Sequence, residues 1–162
     1  MKKSLFKIVT LGLFFIFASA YTNNPNSNRI GFIAPNFEIS NGDTAVSLQH
    51  MKGKYVLLTF WSSDDAESRI ANIQYDRATG KQSLVDYVAV NYDRSEKVYS
   101  EIIKNDSLRA GSQFHDLGGK ESKLYASYQL DRGLKSYLLN PEGKIIAENP
   151  TVQQIRNLKK VN

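Results

Sequence analysis

The sequence predicts a three-layer α/β sandwich in which helices flank a mixed central sheet, with a β-hairpin at its N-terminal side. Apolar runs of strand length, Tyr55–Trp61 and Val85–Asn91, alternate with amphipathic stretches of helix length. Two further short apolar runs, 136–139 and 144–147, flank residues 140–143, whose Pro and Gly favour a tight turn. Alternating β and α elements followed by an antiparallel pair are typical of a mixed sheet covered on both faces.

The first twenty residues are expected to be a bacterial signal peptide. Three lysines precede an apolar run over residues 8–18, and Ala18-Ser19-Ala20 has the small-x-small pattern of a signal-peptidase site. The run is shorter than the roughly 20 residues that span a bilayer, although an uncleaved anchor is the alternative and would be its only membrane contact. We therefore expect a periplasmic or secreted protein with a flexible polar linker over 21–30 and one domain over 31–162.

Composition excludes several classes of function. None of the 162 residues is cysteine, so the chain has no disulfide, no thiol nucleophile and no thiolate metal ligand. The formal net charge of +5 includes three lysines of the predicted signal peptide, and the remainder is almost balanced. Such a surface is not the footprint of a nucleic-acid-binding protein. We expect no cofactor, no metal and no nucleic-acid partner.

Local signals place the first elements. Asn41-Gly42-Asp43 lies between two short alternating runs and predicts the hairpin. After the first apolar strand, Asp64 and Glu67 have the spacing of a helix N-cap and its N3 partner. They predict a helix over 64–79 that Gly80 ends. Its inward stripe is expected to contain Ala66, Ile70, Ile73 and Arg77.

The second half of the chain is interpreted in the same way. Ser95 is expected to begin a helix with Val98, Ile102 and Ile103 on one face, ending near residue 105. Residues 113–115 predict a short strand, and 122–128 a short helix. Thr151 has capping-box spacing before a final helix with Ile155 and Leu158 inward. The tyrosines expected in the core or at its rim are Tyr87, Tyr92, Tyr99, Tyr125, Tyr128 and Tyr137.

Four segments together resemble the extracytoplasmic thioredoxin-like proteins of TlpA-like and AhpC/TSA-like type. Residues 31–37 resemble the family's opening Gly-x-x-Ala-Pro-x-Phe, and 48–54 its Leu-x-x-x-x-Gly-Lys. Residues 55–63 resemble its strand ending in Phe-Trp-Ala-Ser, and 137–145 its Phe-Leu-Ile-Asp-x-x-Gly-x-Ile hairpin. The resemblance implies a thioredoxin-like fold, in a family whose members commonly act as thiol-disulfide oxidoreductases or peroxidases.

The chain departs from this family where the chemistry would be. By the resemblance, Asp65 occupies the slot of the first catalytic cysteine and Ser68 that of the resolving cysteine. Asp64 replaces the Trp that usually precedes the first cysteine, and Leu134, after Gly133, replaces the cis-proline that shapes the substrate groove. With no thiolate, neither disulfide reduction nor peroxide reduction is expected. Whether the protein is an enzyme of another kind stays open.

Residues 61–68, the predicted corner between the first apolar strand and the helix, allow two interpretations. In the first, acidic residues 64, 65 and 67 only stabilise the positive end of the helix dipole. In the second, the former substrate groove still binds a protein or peptide of the cell envelope. That groove would be formed by the 61–68 corner, the 131–135 loop and the 114–119 loop. Its candidate residues are Trp61, Asp64, Asp65, Ser68, His115, Gly133 and Leu134.

Three rival functions stay open. The protein could be an accessory partner of an active envelope thiol-disulfide oxidoreductase. It could be an enzyme that uses Asp65 or His115 as acid or base, or hold a ligand at Asp65 and Ser68. Carboxylates at 64, 65 and 67 supply the oxygen ligands that Ca²⁺ prefers, although neighbouring helical side chains point in different directions. Neither His50 nor His115 has a local triad pattern, so an Asp65–His115–Ser68 triad would have to be assembled by the fold.

Overall fold

The structure, a computed structural model, describes residues 29–42, 44–80 and 84–158. The strands are β1 (Glu38–Asn41), β2 (Thr44–Ser47), β3 (Tyr55–Trp61), β4 (Val85–Asn91), β5 (Gln113–His115), β6 (Ser136–Leu139) and β7 (Ile145–Glu148). The α-helices are α1 (Ala66–Ala78), α2 (Glu96–Asn105), α3 (Lys123–Ser127) and α4 (Val152–Arg156). The predicted signal peptide and all but the last two residues of the predicted linker lie outside the described residues. Among the helices that are described, none is long and apolar enough to cross a membrane.

The central sheet has five strands in the order β5-β4-β3-β6-β7. Strands β3, β4 and β5 are parallel, whereas β6 runs antiparallel to β3 and β7 antiparallel to β6. Strands β1 and β2 form a separate antiparallel hairpin. The predicted mixed sheet with an N-terminal hairpin is therefore confirmed.

The sheet is covered on both faces, which confirms the predicted three layers. Along β3, side chains alternate between the faces, so Leu57 and Trp61 pack toward α1, α2 and α4. Leu58 and Phe60 pack on the other side, toward the hairpin and α3. The tyrosines that were expected in the core are buried at positions 87, 92, 125, 128 and 137, and Tyr99 is half-buried.

Both edges of the central sheet are covered by other segments of the chain. On the β7 side, the Gly31 N–H donates to the Ile145 carbonyl at 2.8 Å, and the Ile145 N–H donates to the Phe32 carbonyl at 2.9 Å. On the β5 side, Asn41 Nδ2 of the hairpin donates to the Gln113 carbonyl at 2.8 Å. These contacts use main-chain groups of Ile145 and Gln113 that would otherwise be free to pair with a strand of another chain.

The later helices begin and end close to where the sequence predicts. Ser95 caps α2 and Ser122 caps α3, each through its side-chain oxygen. Thr151 and Gln154 form the predicted capping box of α4, and Ile155 is buried. No residue of α2 is fully buried: Ile102 and Ile103 are half-buried against the core, as predicted, whereas Val98 is 43% exposed.

The inward face of α1 is polar, and the predicted apolar stripe is wrong. Ile70 is 55% exposed, and Ala66 and Arg77 also face solvent, which leaves Ile73 as the member of that stripe that packs against the core. The buried residues of α1 are instead Ser68, Asn72, Tyr75 and Asp76. Apolar spacing failed here because the strands beneath α1 present hydrogen-bonding groups to it.

Those hydrogen bonds connect α1 to β4, β5 and the segment before β5. Asn72 Oδ1 accepts from the Tyr87 hydroxyl at 2.5 Å and from Gln113 Nε2 at 3.1 Å. Burial raises the pKa of Tyr87 well above its usual value, so its hydroxyl stays a neutral donor. Arg109 Nε donates to Asp76 at 3.2 Å. Satisfied buried polar groups fix the helix in one position more strictly than apolar contact does.

We expect Asn72→Ala to destabilise the fold by about 1–3 kcal/mol, because it leaves the buried Gln113 amide without its partner and the Tyr87 hydroxyl with only the residue 72 main-chain carbonyl, at 3.3 Å. Ile70→Ala on the exposed face of the same helix should change the free energy of unfolding by no more than about 0.5 kcal/mol. Urea unfolding of both variants measures the difference. A larger loss for Ile70→Ala would contradict the orientation of α1.

Candidate functional site

The chain turns from β3 into α1 over residues 62–65, and Asp65 is the N-cap of the helix. Asp65 Oδ1 accepts the Ser68 N–H at 2.8 Å. The sequence had indicated Asp64 paired with Glu67, one residue too early. A turn closed by the Asp65 N–H donating to the Ser62 carbonyl at 3.3 Å delays the helix start. The capping oxygen therefore belongs to the residue in the predicted first-cysteine slot.

Ser68 and Trp61 lie beneath the surface of this corner. Ser68 is 6% exposed, and its hydroxyl donates to the Asp65 carbonyl at 3.1 Å while accepting the Ser62 N–H at 3.3 Å. Both hydrogen-bonding directions of the hydroxyl are thus directed to the main chain. Trp61 is fully buried. Neither side chain is presented to a ligand.

Asp93, which the sequence interpretation did not single out, holds the corner together. It is 8% exposed. Its Oδ1 accepts from Ser62 Oγ at 2.7 Å, from the Ser63 N–H at 2.7 Å and from Ser63 Oγ at 3.0 Å. Its Oδ2 accepts from Asn91 Nδ2 at 3.1 Å. The sequence could have indicated Asp93, because the parallel strands β3 and β4 end on the same side of the sheet and Asp93 closely follows β4.

The Ser62 hydroxyl lies between two carboxylates. It is within hydrogen-bond distance of Asp93 Oδ1 and also of Asp64 Oδ1. A hydroxyl has a single proton to donate, so it can serve only one of these oxygens at a time. Asp64 is exposed and forms no ion pair with another described residue. At any moment, the Ser62 hydroxyl therefore leaves either Asp64 Oδ1 or Asp93 Oδ1 without its hydrogen bond.

His115, the last residue of β5, lies at the same carboxyl-terminal end of the parallel strands. Its Nε2 lies 2.7 Å from the Asp93 main-chain carbonyl, which requires the proton on Nε2. The ring stacks on Tyr99 with centroids 4.9 Å apart, and burial raises the pKa of Tyr99 to about 12. Because His115 bonds to Asp93 and the Ser68 hydroxyl bonds to main-chain groups, an Asp65–His115–Ser68 triad is not assembled.

Opposite the corner lies the loop that contains Gly133 and Leu134. Gly133 has a φ of 117°, which glycine adopts readily and other residues rarely do. Leu134 is half-buried and packs against the core cluster around Phe60. None of the described peptide bonds is cis. The peptide bond before Leu134 is therefore trans, although the family resemblance assigns a cis-proline to this position.

These elements enclose an open cleft of about 820 Å³, which we call the corner cleft. It brings together five of the predicted groove residues, namely Asp64, Asp65, His115, Gly133 and Leu134. Trp61 and Ser68 do not line it, and neither does His50. Other lining residues are Ser62, Ser63, Tyr92, Asp93, Arg94, Ser95, Val98, Leu117, Gly118, Gly119, Lys120, Glu121, Tyr125, Leu130 and Asp131.

A metal site is not favoured by this geometry. Within residues 29–42, 44–80 and 84–158, no group of three or more His, Asp or Glu side chains is placed to hold a metal ion. The three acidic residues of the corner diverge in role, since Asp65 caps the helix, Asp64 contacts Ser62, and Glu67 faces solvent. The calcium alternative therefore has no support from the described residues.

The chain is similar to known proteins over most of its length. The sequence profile of the AhpC/TSA family matches residues 30–148. A thioredoxin-like protein from Parabacteroides distasonis is 35% identical, with 77% of this chain and 90% of that chain covered and a TM-score of 0.66. The thioredoxin domain of a thiol-disulfide oxidoreductase from Bacteroides vulgatus is 26% identical, with coverages of 81% and 95% and a TM-score of 0.66. No curated protein matches.

A third solved structure supports the same assignment of the fold. A thiol-disulfide oxidoreductase from Bacteroides fragilis is 26% identical, with 74% of this chain and 90% of that chain covered and a TM-score of 0.62. The predicted thioredoxin-like fold is thereby confirmed.

Replacing the capping residue should destabilise the corner selectively. We expect Asp65→Ala to cost about 1 kcal/mol of folding free energy, because it removes the oxygen that accepts the Ser68 N–H. Asp65→Asn should be nearly neutral, since Asn caps helices as well as Asp does. Urea unfolding measures both. The matched control is Asp64→Ala, which should cost less than Asp65→Ala, and the reverse order would contradict the cap assignment.

Proposed function

This chain belongs to the AhpC/TSA family, and we propose that it is an exported member without thiol redox activity that binds a protein or peptide segment in the corner cleft. Its fold is thioredoxin-like, of the thiol-disulfide oxidoreductase type, and it contains no cysteine. The observation that carries the proposal is an open cleft lined by Asp65, the residue in the slot of the first cysteine.

The chemistry of the corner supports a role other than electron transfer. A catalytic thiolate at a helix N-terminus is stabilised by free N–H groups. It attacks a disulfide and forms a new S–S bond, while the other sulfur of that disulfide departs as a thiolate. The Asp65 carboxylate accepts such an N–H, from Ser68, but it cannot form or break a sulfur bond. The Ser68 hydroxyl is directed to main-chain groups. The corner thus retains a negative charge at the cysteine slot and lacks the reactive atom.

The shape of the corner cleft supports binding. Two of its lining side chains are large, apolar and exposed, with Leu117 79% and Val98 43% accessible. Exposed apolar side chains around a concave surface are typical of sites that bury against a partner. The β3–α1 corner and the loop that contains Gly133 both line this cleft. Peptide binding in this groove is an analogy at the level of the fold.

The partner could itself be an active thiol-disulfide oxidoreductase of the envelope, which would make this chain an accessory subunit that uses the same cleft. An acid–base enzyme is less well supported, because the Asp65 carboxylate caps α1 and His115 Nε2 is bonded to the Asp93 main chain. General acid–base chemistry favours a group that is partly desolvated and free to exchange a proton. The predicted signal peptide and the bacterial relatives support export to the periplasm, which cell fractionation tests.

The proposal predicts that the protein neither reduces insulin disulfides nor consumes peroxide above the blank. The double variant Asp65→Cys, Ser68→Cys should form an internal disulfide, since residues 65 and 68 are adjacent at the helix start, where the side chain of each bonds to the main chain of the other. Thiol alkylation before and after reduction, read by mass spectrometry, measures this. Each single cysteine variant is the control and should remain a free thiol. Turnover by the unmodified chain would overturn the non-redox assignment.

The binding proposal is tested by titrating the isotope-labelled protein with a pool of unfolded peptides and following amide chemical shifts. We expect shifts to concentrate at the residues that line the corner cleft. Leu117→Ala should weaken binding by up to about tenfold, because it removes apolar area that a partner would bury. Ile70→Ala is the matched control, since Ile70 is similarly exposed but lies outside the cleft. Equal effects of both variants, or shifts elsewhere, would contradict the proposal.

A further inference from the structure

The charges around the corner cleft are strongly unequal. Five acidic and two basic side chains line it, although the chain as a whole has a formal net charge of +5. The acidic residues are Asp64, Asp65, Asp93, Glu121 and Asp131, and the basic ones are Arg94 and Lys120. A concave surface of one sign concentrates the electric field and attracts ligands of the opposite sign.

None of these five acidic side chains forms an ion pair within the described ranges. Acidic side chains elsewhere do so, as in the Arg69–Asp106 pair at 2.7 Å and the Lys54–Asp86 pair at 2.9 Å. Nor do Arg94 and Lys120 pair with the acids beside them. The acidic side chains of the cleft thus have no direct ion pair among the described residues, although Asp93 interacts with Arg69 at longer range.

The hydrogen bonds at the corner show which carboxylate oxygens have protein donors. Asp93 is buried and its carboxylate is held only by neutral donors, from Ser62, Ser63 and Asn91. The Ser62 hydroxyl cannot donate to Asp93 and Asp64 at once. A charged N–H donor from a ligand would satisfy the oxygen that Ser62 leaves unserved. Hydrogen bonds with an ionised partner are roughly twice as strong as neutral ones.

Two other polar atoms of cleft-lining residues lack a protein partner among the described residues. They are the hydroxyl of Tyr92, a residue that is 9% exposed, and Nδ1 of His115. Burial raises the pKa of Tyr92, so its hydroxyl remains a neutral donor. Both atoms are shielded from solvent, so they lie beneath the surface of the cleft and are not presented to a ligand. The exposed apolar contacts of the cleft come from Leu117 and Val98.

We propose that the ligand of the corner cleft is an extended basic peptide segment with Lys or Arg facing Asp64 and Asp65 and apolar side chains facing Leu117 and Val98. This inference rests on the proposed function and specifies its partner. Successive side chains of an extended segment point to opposite sides, so a segment that alternates basic and apolar residues offers both kinds of side chain to the cleft. A second copy of this chain, presenting a basic loop, is the rival occupant.

Three labelled peptides of equal length test the inference by fluorescence anisotropy. All have the same apolar residues at alternate positions, with Lys, Gln or Glu between them. We expect the Lys peptide to bind about tenfold more tightly than the Gln peptide, and the Glu peptide to bind most weakly. The preference for Lys should shrink as salt is raised, because exposed charges are screened.

The decisive variant is Asp64→Asn with Asp65→Asn, which removes two charges and keeps a capping side chain. It should lose most of the preference for Lys over Gln. The matched control is Glu67→Gln with Glu142→Gln, which removes two exposed charges outside the cleft and should keep the preference.

Several outcomes would overturn the inference. If Lys and Gln peptides bind equally and Leu117→Ala weakens both, the peptide-binding function stands and the basic partner is wrong. If no peptide binds, both proposals fail. An equal loss in the control variant would assign the effect to overall charge. Sedimentation that reveals a dimer disrupted by Asp64→Asn with Asp65→Asn would assign the cleft to a second copy of the chain.

Discussion

The site depends on the hydrogen bonds that the Asp93 carboxylate accepts. This carboxylate binds Ser62 and Ser63 at the end of β3 from the end of the neighbouring strand β4. These bonds fix the turn that leads into α1, and with it the position of the capping residue Asp65. A buried carboxylate held by several donors is costly to disrupt, because losing one donor leaves a charge poorly solvated. The corner is therefore a rigid surface, well suited to present fixed charges to a partner.

The polar underside of α1 extends the same constraint along the helix. Asn72 bonds to Tyr87 and Gln113, and Asp76 bonds to Arg109, so directional contacts set the rotation of the helix. Apolar contacts alone would tolerate small rotations, whereas buried hydrogen bonds do not. This rotation places Ile70 outward and Ser68 inward. The serine in the resolving-cysteine slot is thereby enclosed, while the Asp65 side remains on the rim of the cleft.

The absence of cysteine gives this corner a chemistry different from that of a thiol enzyme. A thiolate is negative only while it is reduced, whereas the charge of an aspartate does not depend on the redox environment. Asp64, Asp65 and the buried Asp93 contribute acidic side chains to the cleft. On the opposite side of the cleft, Leu134 precedes β6 and follows a trans peptide bond. An apolar side chain thus lines the cleft at the position to which the family resemblance assigns a cis-proline. Fixed charge and apolar contact are the chemistry of recognition.

The amino-acid sequence by itself determined the strands, the helices, the fold class and the absence of thiol chemistry, because apolar runs, capping residues and composition are local properties. It located Asp65, Ser68 and Leu134 through a family resemblance that is likewise read along the chain. Only the tertiary structure decided that Asp65 caps the helix, that α1 buries Asn72 and exposes Ile70, and that Asp93 joins the corner. Those facts depend on which groups neighbouring strands present across space. The acidic character of the cleft has the same origin, since its charges come from segments far apart in sequence that meet at one edge of the sheet.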